Sequence, residues 1–136
     1  HDYLSTYFTK CYDLLNRNGK AMFQCIMIPE KRYDTYRKSQ DFIQKYIFPG
    51  GHLPSMDAIK NAISSSKLRW VDSTSITNHY VYTLRQWEKT FITKKTDILN
   101  MGFDRSFIHT WLYYFNYCSA AFKADFIHNH QFVIEK

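Results

Sequence analysis

The residue types able to do chemistry are present in this chain but dispersed. Cys11, Cys25 and Cys118 lie far apart, are odd in number and form no CxxC pair. Their spacing points to neither a disulfide framework nor a zinc site, and a reducing cytosol fits best. Among the six histidines only His128 and His130 share a face of one predicted strand. They would need further donors to hold a metal, and read as a partly exposed structural pair. The four glycines, Gly19, Gly50, Gly51 and Gly102, make no GxGxxG or GxG turn. A nucleotide-type cofactor cradle is therefore not encoded in these residues. No Walker lysine loop, HExxH or GxSxG elbow occurs either. Gln24 stands out as the clearly polar side chain inside the apolar run 21–28.

The elements that must position these residues alternate between helix and strand. Tyr3, Leu4, Tyr7, Phe8, Cys11, Leu14 and Leu15 recur at helical spacing, with Asp2 as a cap and Asn18-Gly19 as a left-handed stop. Residues 21–28 predict a strand buried on both faces, ended by Pro29. Helical periodicity returns from Arg32 to Ile47, and the Pro/Gly-rich turn 48–55 interrupts it. Ser55 caps a helix over 56–65. A strand is expected over 68–74, with Leu68 and Trp70 buried and Val71 as a further candidate. A helix carrying Tyr80, Leu84, Trp87 and Phe91 then runs to about Asn100, and Gly102 stops it. Asp104 caps a helix whose stripe is Phe107, Trp111, Tyr114, Phe115, Cys118 and Phe122. Residues 126–135 close the chain as a strand. This order predicts an α/β layered sheet, and three strands leave two edges that want further strands from residues before His1.

Composition sets the outer limits. With 136 residues the chain is sized for one domain. Hydrophobic residues at 45% and charged ones at 22% exclude a disordered chain. Aromatics reach 18%, which requires a large core, a lined pocket or a covering partner. A net charge of +6 permits an anionic membrane, an acidic partner or nucleic acid. The pairs Lys31-Arg32, Arg37-Lys38 and Lys94-Lys95 are too scattered for a nucleic-acid stripe, and no RNP-like string or recognition helix is present. No stretch of about 20 apolar residues exists to span a membrane.

Several strings together resemble the cyclopropane-fatty-acyl-phospholipid synthase and mycolic acid cyclopropane synthase family. They are Asp41-Phe42-Ile43, Tyr46-Ile47-Phe48-Pro49-Gly50-Gly51 with Leu53-Pro54-Ser55, and His79-Tyr80 with Thr83-Leu84 and Trp87. Tyr113-Tyr114, Cys118, Ala121-Phe122 and Gln131-Phe132 follow in order, and Ile28-Pro29-Glu30-Lys31-Arg32-Tyr33 stands after the first strand. The resemblance covers essentially the whole chain. It implies the C-terminal half of a class I SAM-dependent methyltransferase, a Rossmann-like α/β fold with its last strand antiparallel. Residues 1–136 would be a single partial domain, with 30–66 as a helical lid insertion.

The resemblance also implies a chemistry. These enzymes transfer the methyl group of S-adenosyl-L-methionine (SAM) to a cis double bond of an unsaturated phospholipid acyl chain, and loss of a methyl proton closes a cyclopropane. A bicarbonate ion serves as base. By motif, its ligands in this chain would be Gln24 in the place of a family His, the Ile26 amide, and the Tyr80 hydroxyl. A further Glu is expected before His1. Cys118 matches a further active-site candidate of the family, and Tyr114, Phe115 and Phe122 would line the acyl pocket. No SAM-binding residue and no metal ligand is expected within this chain. Implied partners are phospholipid acyl chains, a peripheral anionic membrane surface and the N-terminal half, but no nucleic acid. The expected location is cytoplasmic and membrane-peripheral, and the chain by itself is expected to be inactive. A non-catalytic lipid-surface or scaffold module built on the same fold is the alternative.

Overall fold

The computed structural model describes residues 3–136. The Asp2 cap lies outside them. The chain divides into two compact units. Of the described residues, the first takes 3–40, 52–76 and 127–136, and the second takes 41–51 and 77–126. The segment 30–66 contributes to both, with 41–51 in the second unit and the rest in the first.

The first unit contains α1 (Leu4–Leu14), β1 (Lys20–Met27), α2 (Glu30–Tyr36), α3 (Met56–Ser65), β2 (Arg69–Ser75) and β3 (His128–Glu135). Among the described residues the strands form one sheet in the order β1-β3-β2. The final strand is antiparallel to both neighbours, as expected, and lies between them. Alternation along the strands sorts side chains between faces. One face carries Phe23, Phe132 and Trp70 in a row, with Phe132 stacked on Phe23 at 5.6 Å and on Trp70 at 4.8 Å. Phe8 of α1 and Ile59, Ala62 and Ile63 of α3 close over this face to form the core. Glu135 sits at one end between Lys20 (3.6 Å) and Arg69 (3.1 Å), its register partners on the two flanking strands.

The opposite face corrects one expectation. β1 alternates between exposed and half-buried positions, and Met22 is 68% exposed. An apolar run alone does not reveal that only one face of its sheet is covered. At the turn into β1, Asn18 rather than Gly19 takes the left-handed conformation (φ 60°). Val71 is exposed, because the β2–β3 register shifts between Trp70 and Asp72 and leaves it as a bulge.

The second unit contains α4 (Thr77–Thr93), α5 (Lys95–Asn100), α6 (Arg105–Lys123) and a π-helical turn over Ile43–Ile47. α4 and α6 pack together, burying Val81, Leu84, Ile108, Phe115 and Phe122. Asp104 caps α6 as expected, its Oδ1 accepting the Phe107 N–H at 2.8 Å. Ser55 does the same for α3, in the first unit, by accepting from Ala58 N–H at 3.2 Å.

Two predicted helices are divided. The pattern over 32–47 splits because Asp41 and Gln44 cap each other. Asp41 Oδ1 accepts from Gln44 N–H and Gln44 Oε1 accepts from Asp41 N–H, both at 2.9 Å. This reciprocal pair is a capping box, which starts a new turn in mid-pattern. The helix expected to reach Asn100 breaks at Lys94, where the Thr93 hydroxyl donates to the Thr90 carbonyl at 2.7 Å. Such back-bonding by Thr competes with helix continuation.

Candidate functional site

The predicted site residues fall into two groups. Gln24 and Ile26 belong to the first unit and lie two residues apart on the open face of β1. Gln24 is exposed, contrary to the buried position its apolar neighbours suggest. Its Oε1 accepts a hydrogen bond from Gln131 Nε2 at 3.3 Å, which leaves its NH₂ as an outward donor.

The direction of the Ile26 amide follows from its neighbours. The Gly19 carbonyl accepts from Lys136 N–H on the β3 side (3.0 Å), whereas Ile28 N–H donates to the Pro54 carbonyl (3.1 Å). Backbone groups of alternate residues point to opposite edges of a strand. Ile26 N–H therefore points away from β3, to the edge of β1 that no strand pairs among the described residues. Gln24 N–H points the same way.

Tyr80, Tyr114, Phe115, Cys118 and Phe122 belong to the second unit and come together between α4 and α6. Tyr80 meets Phe122 edge-on at 5.3 Å and Trp87 at 5.9 Å. Tyr114 and Cys118 lie one turn apart on α6 and influence each other's titration. Burial pushes the Cys118 thiol up to about 12; the neighbouring Tyr114 hydroxyl acts in the opposite direction, and the Asp41 carboxylate adds to the rise. Burial likewise raises the Tyr80 and Tyr114 hydroxyls, reinforced by the neighbouring Cys118. At neutral pH the cluster is thus two phenols and a thiol, all protonated and uncharged. It can donate hydrogen bonds and line an apolar cavity without adding charge.

The aromatic stripe of α6 divides by depth. Phe115 and Phe122 are buried among α4 and α6 side chains, with Phe91 at 5.6 Å from Phe115. Tyr114 meets Phe48 at 6.0 Å and Trp111 at 5.3 Å. Asp41 was not singled out as a site residue. The Asp-x-x-Gln spacing at 41–44 was its signal, since the capping box holds its carboxylate near Cys118.

His128 and His130 lie 6.3 Å apart between ring centres. Burial and the neighbouring His128 lower the pKa of His130. Among the described residues no three His, Cys, Asp or Glu side chains converge as a metal site. A polar cleft of about 360 Å³ in the first unit, lined by Glu30, Tyr33, Arg37, Asp57, Asn61 and Ser65 among others, contains none of the predicted residues.

Comparison with known proteins places this arrangement. The fold is that of an α/β methyltransferase C-terminal part. The cyclopropane synthase MmaA2 from Mycobacterium tuberculosis superposes with a TM-score of 0.89 at 19% identity, covering 100% of this chain and 50% of that one. The mycolic acid cyclopropane synthase CmaA1, solved with SAH and CTAB, gives 0.89 at 23% identity with the same coverage. In sequence, the chain is 36% identical over 129 residues to tuberculostearic acid methyltransferase UfaA1 of Mycobacterium tuberculosis, covering 94% of this chain and 30% of that protein. It is 25% identical to cyclopropane mycolic acid synthase 2 of Mycobacterium leprae, covering 96% and 45%. The chain thus spans half or less of these relatives. The profile of the mycolic acid cyclopropane synthetase family matches residues 1–132, and the chain belongs to that family.

Proposed function

We propose that this chain is the C-terminal part of a SAM-dependent enzyme that adds a methylene group across the cis double bond of an unsaturated phospholipid acyl chain. The family match over 1–132 carries this reading. The uncharged cluster of Tyr80, Tyr114, Phe115, Cys118 and Phe122 supports it, because an acyl chain requires apolar walls. SAM, when bound, supplies an electrophilic methyl group. The described residues offer no glycine-rich turn to hold it: Gly50 and Gly102 have positive φ but stand apart in separate loops. The chain alone should therefore be inactive.

The reaction balances on the lipid. One alkene carbon would gain the methyl carbon as that carbon's bond to the sulfonium sulfur breaks and S-adenosylhomocysteine leaves; the neighbouring carbon would become cationic, and a methyl proton would leave to a base as the ring closes. If the cation is quenched otherwise, a methyl branch results. In this reading the base is bicarbonate, and the Ile26 amide and the Gln24 NH₂ of the first unit are donors that suit it; the Tyr80 hydroxyl of the second unit is a donor for the same chemistry. Neutral donors suit a small anion in an apolar cavity, where an unpaired charge would be expelled. Gln24 would keep the contact without the protonation switch of a histidine. The aromatic faces of Tyr114, Phe115 and Phe122 would stabilise the passing cation.

The test is methyl transfer by the full-length gene product from labelled SAM to an unsaturated phospholipid, with the product read by mass spectrometry. Gain of one carbon unit at the double bond supports the proposal. Transfer only to a non-lipid acceptor, or no transfer, overturns it.

A further inference from the structure

We infer that the connector from α4 to α6 is a membrane-docking tip for anionic lipid surfaces, an inference that rests on the lipid-acting reading above. Three large apolar side chains in the last turn of α4 and in this connector face solvent: Ile92 is 53% exposed, Met101 74% and Phe103 43%. Phe103 is held in place by stacking on Phe107 at 4.3 Å. Solvent does not favour such a grouping at one end of a helix pair.

The charges around the tip complement an anionic surface. Lys89, Lys94, Lys95 and Arg105 are exposed and flank the apolar residues. The two acidic groups of the segment are already engaged. Asp97 pairs with Lys94 at 3.0 Å, and Asp104 accepts the α6 cap hydrogen bond. Lys89, Lys95 and Arg105 form no ion pair among the described residues and remain available to headgroup phosphates. Long basic side chains can reach headgroups while the apolar ones enter the acyl boundary.

The occupant is a bilayer surface rather than a second copy. Three partly exposed side chains fall well short of the roughly 800 Å² per partner that a stable dimer buries. No helix among the described residues is long and apolar enough to cross a membrane, so the tip would lie in the interface.

The experiment is co-sedimentation of the full-length gene product with vesicles of phosphatidylcholine alone or mixed with phosphatidylglycerol, across a salt series. Two variants accompany it, Ile92→Ser/Met101→Ser/Phe103→Ser and Lys89→Gln/Lys95→Gln/Arg105→Gln. Circular dichroism confirms that each is folded. Binding that needs the anionic lipid, weakens with salt and falls roughly tenfold or more in each variant is expected. Absence of binding, equal binding to neutral vesicles, or variants that bind like the parent would overturn the inference. So would a change in oligomeric state without a change in vesicle binding, since that marks a protein interface. Methyl transfer to detergent-dispersed lipid separates the two proposals. If transfer persists while vesicle binding ignores the tip, only the docking inference fails. If transfer is absent while binding depends on the tip, only the enzymatic reading fails.

Discussion

Tyr114 and Cys118 stand one turn apart on α6, and each is the other's titrating neighbour: Cys118 raises the Tyr114 hydroxyl, and Tyr114 acts against the rise of the Cys118 thiol. The pairing joins a group expected to line an acyl pocket to one matched with an active-site position. Burial keeps both protonated, so the pair acts as a fixed neutral wall rather than a nucleophile.

The first prediction concerns thiol chemistry. Cys118 is held up to about 12 and Cys25 up to about 11, each chiefly by burial. A folded-state pKa above the ordinary 9.0 gives stability that is complete below about pH 9 and is lost as pH rises toward 11–12. The melting temperature should therefore fall progressively above pH 9. Iodoacetamide at neutral pH should leave Cys118 unmodified in the folded protein and label it after denaturation, as read by peptide mass spectrometry. Rapid labelling of native Cys118 would contradict its burial.

The second concerns the sheet. Phe132 lies between Phe23 and Trp70 and belongs to the core. Phe132→Ala should cost about 3–5 kcal/mol in denaturant unfolding, the usual range for emptying a buried aromatic site. Glu135→Gln, which weakens contacts to two exposed cations, should cost less than about 1 kcal/mol and lose its effect in high salt.

The third concerns the capping box. Asp41→Ala removes the acceptor for Gln44 N–H and should destabilise the turn by about 1 kcal/mol. Asp41→Asn keeps an acceptor and should recover most of that loss. Asp41→Asn also removes the carboxylate that raises the Cys118 pKa, so alkaline reactivity of Cys118 should begin at lower pH than in the parent.

The fourth concerns the proposed chemistry. Tyr80→Phe in the full-length gene product should lower turnover sharply, by about 10²-fold if one developing-charge donor is lost. SAM affinity measured by calorimetry should remain nearly unchanged. An unaltered rate would remove Tyr80 from the proposed chemistry.

Much of this was legible from residue types. Ser55 and Asp104 announce their helices because a short acceptor before an apolar stripe satisfies free amides. The 107–122 stripe announces α6, since its spacing repeats over several turns. The breaks at 37–41 and at Lys94 were harder to read, because apolar spacing runs through both. Only the local competition of Asp41, Gln44 and Thr93 for backbone groups reveals them. The depth of Gln24 was illegible for another reason: which face of β1 is covered depends on α1 and α3, far away in sequence. Tyr80 and Cys118 entered through family motifs; no periodicity could have shown that they neighbour each other across two helices.

The central position of β3 has a consequence for how the chain acquires its shape. β1 and β2 make no ladder with each other, and each waits for a strand that comes much later. The Gln24–Gln131 pair alone joins points 107 residues apart. On a ribosome, the two earlier strands would emerge with bare edges and remain so until residues 128–135 clear the exit tunnel. Closure over so long a loop is slow, so a nascent chain stalled before His128 would be unusually dependent on chaperones.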